Sequence, residues 1–147
     1  MKIRVKKSVT LAELMIAIAF IAVALASIMG LFIACSKLNS QSRNMTRAVT
    51  HLEYVLEQVK GESSLNNLKN KIDNGNWNWV VDDVTSQGLQ SLSNENISVC
   101  CYDSGSDSCL ANCPDQDFLD IFAQVQWKSR EGRDISFSLR TLVTEYE

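Results

Sequence analysis

The chain has 147 residues, of which 14 are basic and 17 acidic, for a net charge of −3, with one histidine and five cysteines. That length suits one domain of modest size. The acidic balance, with no basic stripe or cluster after residue 8, argues against a nucleic-acid partner.

The first eight residues hold Lys2, Arg4, Lys6 and Lys7 and no acid, so all 17 acidic residues lie beyond Ser8. From Leu14 to Ser36 there follow 23 residues without a charge. As a helix they rise about 34 Å, enough to span a bilayer core of about 30 Å. An ordinary secretory signal has an apolar core of roughly 7–15 residues, which this run exceeds. The basic flank predicts that the N-terminus stays cytoplasmic and that the acidic remainder is exported. Glu13 stands at the threshold of the run. A carboxylate at membrane depth is costly and tends to be paired and functional.

The helix is expected to continue beyond the apolar run. Met45, Val49, Leu52, Leu56 and Val59 recur at steps of four and three, one face of a 3.6-residue period. Gly61 is a natural stop. Residues 9–60 would then form a helix of about 78 Å, with Gly30 as its one internal weak point. Beyond it, Leu65, Leu68 and Ile72 mark one face of a short helix, and Asn74-Gly75-Asn76 signals a turn. Trp77, Trp79, Val80, Val81 and Val84 suit a short strand or a loop packed on a sheet. Residues 86–96 read as loop and Ile97–Tyr102 as a strand. Ile121, Ala123, Val125 and Trp127, then Ile135, Phe137 and Leu139, alternate with polar neighbours around the turn Ser129-Arg130-Glu131-Gly132, a β-hairpin pattern. The fold class is therefore α+β, a long N-terminal helix packed by its second half on a small antiparallel sheet. The divisions are 1–8, a basic leader; 9–36, the membrane half of the helix; 37–60, its amphipathic half; and 61–147, a globular β domain with a Cys-rich loop at 100–113.

Four cysteines cluster at Cys100, Cys101, Cys109 and Cys113, in the part expected to be exported, where an even set reads as a disulfide framework. A bond between the adjacent Cys100 and Cys101 is disfavoured by disulfide geometry. Two pairings remain open: Cys100–Cys109 with Cys101–Cys113, or Cys100–Cys113 with Cys101–Cys109. A four-thiolate zinc site is the rival, but the usual spaced pair is missing on one side. The loop they hold, 103–117, has little apolar surface of its own beyond Leu110 and the neighbouring Phe118. Cys35 reads as a small buried residue of the helix. It follows Phe32-Ile33-Ala34, which loosely resembles a lipobox.

No catalytic constellation is present: there is no Gly-rich phosphate loop, no GxSxG and no His-x-x-x-His spacing. His51 is read as a surface or boundary residue, and the aspartates lack calcium-loop spacing. We expect no enzyme activity, cofactor or metal.

The order of basic leader, small residue, hydrophobic residue, Thr, Leu, any residue and Glu, abutting an uncharged span, resembles the prepilin leader of the type IV pilin-like superfamily. Ser8 stands where Gly is commonest and Val9 where Phe is commonest. The pattern Val125-Gln126-Trp127, Gly132-Arg133 and Thr141-Leu142-Val143 is similar to minor pilins of the PilV type. The resemblance implies a prepilin cut between Ser8 and Val9 by the prepilin peptidase and N-methylated at Val9. It would be held in the inner membrane with its C-terminal domain periplasmic, then incorporated into, or priming, a type IV pilus. Thr10, Leu11 and Glu13 fall at the assembly positions, and Glu13 would pair with the terminal amine of a neighbouring pilin subunit. One alternative is a minor pseudopilin of a type II secretion system. Another, of a different class, is a signal-anchored or lipidated envelope protein that binds a ligand through its stapled loop.

Overall fold

The computed structural model describes residues 10–62 and 64–144; Ser8 and Val9, the expected cleavage and methylation positions, lie outside them. Helix α1 spans Leu11–Lys60. It runs through Gly30 without interruption, since a mid-helix glycine lowers helix stability by only about 1 kcal/mol. It is followed by α2 (Leu65–Asp73), β1 (Trp79–Val80), α3 (Val81–Ser86), β2 (Asn96–Asp103), β3 (Ser108–Cys109), β4 (Phe118–Lys128) and β5 (Asp134–Thr144). The chain divides into two units, residues 1–40 and residues 41–147.

In the first unit every described residue is exposed, including Leu14, Phe20, Leu31 and Phe32. This is the one helix among the described residues long and apolar enough to cross a membrane.

The second unit is α+β. Its five-stranded antiparallel sheet runs in the order β1-β2-β4-β5, with β3 paired to the end of β2. The hairpin β4–β5 is in register from Phe118↔Thr144 to Lys128↔Asp134. One sheet face supplies the core: Ile97, Val99 and Cys101 from β2, with Leu119, Ile121, Ala123, Val125 and Trp127 from β4, are all buried. Against them packs the second half of α1 through Ala48, His51, Leu52, Val55, Leu56 and Val59.

That buried stripe differs from the expected one. Met45 is 38% exposed and Val49 half-buried, whereas Ala48 and Val55 are completely covered. The apolar arc of α1 is wider than the surface the sheet covers. Sheet contact selects the sector centred on Ala48, Leu52 and Val55, where a small residue allows close approach, and leaves Met45 on the shoulder. Burying each Leu or Val of this stripe stabilises by about 1.5–3 kcal/mol.

The segment after Trp79 is also corrected. The strand holds only Trp79 and Val80, and a six-residue helix begins at Val81 where strand or loop was expected. Asp83 decides this, because its Oδ2 accepts the backbone N–H of Val80 at 3.0 Å and satisfies a donor that the helix start leaves free. The 74–76 turn is formed, with Gly75 at φ +69°, where an added Cβ would meet the Asn78 side chain at 2.9 Å.

Candidate functional site

Three local arrangements stand out, and each grows from its sequence differently. The first is the start of α1. The backbone N–H of Glu13 donates to Oγ1 of Thr10 at 3.3 Å, and the N–H of Leu14 donates to the carbonyl of Thr10 at 3.1 Å. Thr10 is thus the N-cap residue and Glu13 the third helical residue, the spacing of a capping box. Thr-x-x-Glu therefore carries a local meaning besides the one the leader resemblance implies: it starts the helix. The Glu13 carboxylate also sits in the first turn, where the helix dipole favours a negative charge. Leu11 beside it is 77% exposed.

The second arrangement is the stapled loop. Cys100 bonds to Cys109 and Cys101 to Cys113, with Cα separations of 5.7 and 5.2 Å. Successive residues of a strand point to opposite faces. Cys101 therefore lies in the core beside Ile121, its register partner, while Cys100 sits on the outer face opposite Phe122. The two bonds straddle β2 and clamp the loop from both sides. Asp103 organises the loop tip. Its carboxylate accepts the backbone N–H of Gly105 at 2.9 Å, the N–H of Ser106 at 3.2 Å and the Ser106 hydroxyl at 2.7 Å. The Gly105 N–H first, then the Ser106 hydroxyl, hold its carboxyl below the ordinary 3.8. Lys69 donates to Asp115 at 2.8 Å and holds that carboxyl low as well, and Asp73 accepts the N–H of Cys113 at 2.9 Å. Helix α2 thereby grips the far end of the loop. Phe118, one of the few large apolar groups near the loop, is 50% exposed, because it falls on the outer-face phase of β4.

On that outer face the guanidinium of Arg140 lies 4.0 Å over the Tyr102 ring, which stacks on Phe122 at 5.3 Å. Arg140 also pairs with Asp120, which raises its pKa, and Tyr102 donates to Asp107, whose carboxylate pushes the phenol above its ordinary 10.0.

The third arrangement is buried. His51 is 2% exposed, not at the surface, and its Nδ1 lies 2.6 Å from Oε1 of the equally buried Glu95. Oε2 of Glu95 accepts the N–H of Leu92 at 2.7 Å. His51 is one turn from Ala48 and Val55, so the helix face that meets the sheet carries it inward. Nothing in the polar stretch around Glu95 announced its partner; only the fold joins the two.

Among the described residues no group of three His, Cys, Asp or Glu is arranged to hold a metal ion. A shallow cavity of about 250 Å³ is bordered by Asn94, Asn96, Gln126, Lys128, Asp134 and Ser136, polar groups without a nucleophile–base pair. Cys35, expected to be buried, is exposed and unbonded because it lies on the part of α1 where every residue faces outward. No family model, no curated protein and no solved structure matches the chain.

Proposed function

We propose that this protein is a filament subunit of the type IV pilin-like kind, a minor pilin made as a prepilin. The observation that carries the reading is α1. One 50-residue helix has a first part that is apolar and exposed on every side and a second part that serves as the core helix of an α+β domain. A helix apolar all round must be buried in lipid or among other helices. A subunit that passes from membrane to filament core would use such a helix in both settings.

On this reading Glu13 has two tasks. In the first turn it favours helix initiation. In the assembled filament it supplies the carboxylate that a neighbouring subunit's terminal amine needs in a medium without water, where each ion is costly unless paired. The mature chain would begin at Val9, after cleavage by the prepilin peptidase, and carry an N-methyl group there. The disulfide-clamped domain belongs on the oxidising side of the inner membrane, since two such bonds persist in that compartment.

Mass spectrometry of the mature N-terminus tests the reading. A methylated Val9 is expected. An uncut Met1 or an acylated Cys35 would refute it, the latter in favour of a lipidated envelope protein.

A further inference from the structure

We propose that Cys100–Cys109 is an exchangeable disulfide, open to dithiol reductants in the folded protein, while Cys101–Cys113 is a closed structural bond. The inference is independent of the filament reading. It rests on the way adjacent cysteines are divided between the two faces of β2.

Cys109 is exposed on the two-residue strand β3, and Cys100 is half-buried on the outer face. Cys101 is 1% exposed, within a core that includes Ile97, Val99 and Ile121. Thiol–disulfide exchange requires a thiolate to reach a sulfur in line and the other sulfur to leave as a thiolate. At the outer bond, a reductant thiolate reaches Sγ of Cys109, the S–S bond breaks, and Cys100 leaves at the sheet surface, where water stabilises the anion before it takes a proton. The second thiolate of the same dithiol then resolves the mixed disulfide. Cys109 is released as a thiol and the reductant becomes a disulfide, so two electrons and two protons have passed to the pair.

At the inner bond the same sequence fails on either sulfur. Attack on Cys101 is blocked by the core. Attack on the half-buried Cys113 would expel a thiolate at Cys101 into apolar surroundings, where an unpaired charge is costly. Reduction there must await local opening of the sheet. Opening the outer bond leaves the loop tied at its base by Cys101–Cys113 and at its far end by Lys69–Asp115. The reducible bond therefore changes the freedom of the 102–112 tip without unfolding the domain. A protein dithiol of the exchange-enzyme class, or a partner thiol, would find its target at Cys109.

The test is graded dithiothreitol treatment of the full-length chain in detergent, with alkylation and mass mapping over time. Cys100 and Cys109 should be labelled at least about tenfold faster than Cys101 and Cys113, the ratio given by about 1.4 kcal/mol of opening free energy. Far-ultraviolet circular dichroism should be unchanged when the first pair is open. Equal labelling rates, earlier labelling of Cys101 and Cys113, or loss of the sheet signal with the first pair would overturn the proposal. A Cys100→Ser, Cys109→Ser double variant should fold with Cys101–Cys113 intact. Its failure to fold would show the outer bond to be structural and would equally overturn it.

Discussion

His51 on α1 and Glu95 before β2 are 44 residues apart in sequence and meet at 2.6 Å, each only 2% exposed. The pair ties the helix to the 87–95 connection, because the second carboxylate oxygen of Glu95 simultaneously holds the N–H of Leu92. Removing His51 leaves Oε1 of Glu95 buried without its partner, while Oε2 keeps the Leu92 N–H. His51→Leu should therefore destabilise the domain by about 3–5 kcal/mol. Replacing both partners with apolar residues should recover part of the loss, although Leu92 would still lack its acceptor. Urea denaturation of the single and double variants measures the difference. A His51→Leu cost under about 1 kcal/mol would mean that the pair contributes no more than a surface contact.

Thr10 is expected to act on the helix start itself. Thr10→Ala should cost about 1 kcal/mol at the N-terminus of α1, and Thr10→Ser far less, since serine can accept the same N–H. The effect is local, so the readout is amide hydrogen exchange at Leu11–Leu14, about fivefold faster in the alanine variant. Unchanged exchange would remove the capping role.

On the proposed filament reading, Glu13 separates insertion from assembly. Glu13→Ala leaves the 23-residue uncharged run intact, so membrane insertion should be as efficient as in the parent. Incorporation into filaments, assayed by shearing and immunoblotting in the native host, should fall at least about tenfold, because the neighbour's amine would lose its desolvated partner. Wild-type incorporation would leave Glu13 with helix initiation alone.

The loop should loosen in acid. Asp103 and Asp115 both have carboxyls held below their ordinary 3.8 in the folded protein. A depressed folded pKa means stabilisation that is fully present above the unfolded value and is lost as pH falls through the folded one. Loop order should accordingly be constant near neutrality and decline below about pH 4, the ordinary carboxylate range. Chemical shifts of Gly105 and Ser106 amides between pH 6 and pH 2 would follow it, and Asp103→Asn should abolish the Gly105 response. A Gly105 shift that persists in Asp103→Asn would assign the transition elsewhere.

Elements whose causes are local were legible in the chain of residues alone. Leu14–Ser36 is uncharged and long enough to span a bilayer, so its helix and its need for an apolar environment follow from composition. The period of two in 121–127 and 135–139 fixed the hairpin. Gly75 with its asparagine neighbours fixed the turn, because φ +69° is open to glycine at little cost. Tertiary structure decided what depends on encounters between distant residues. It chose which sector of α1's broad apolar arc meets the sheet, and so buried Ala48 and His51 in place of Met45. It joined His51 to Glu95, which no sequence spacing relates. It also selected one of two open disulfide pairings, since only the register of β2 places Cys101 in the core and Cys100 outside it, within reach of Cys109 on β3. A periodicity states that a face exists; the partner that covers the face states which residues lie at its centre.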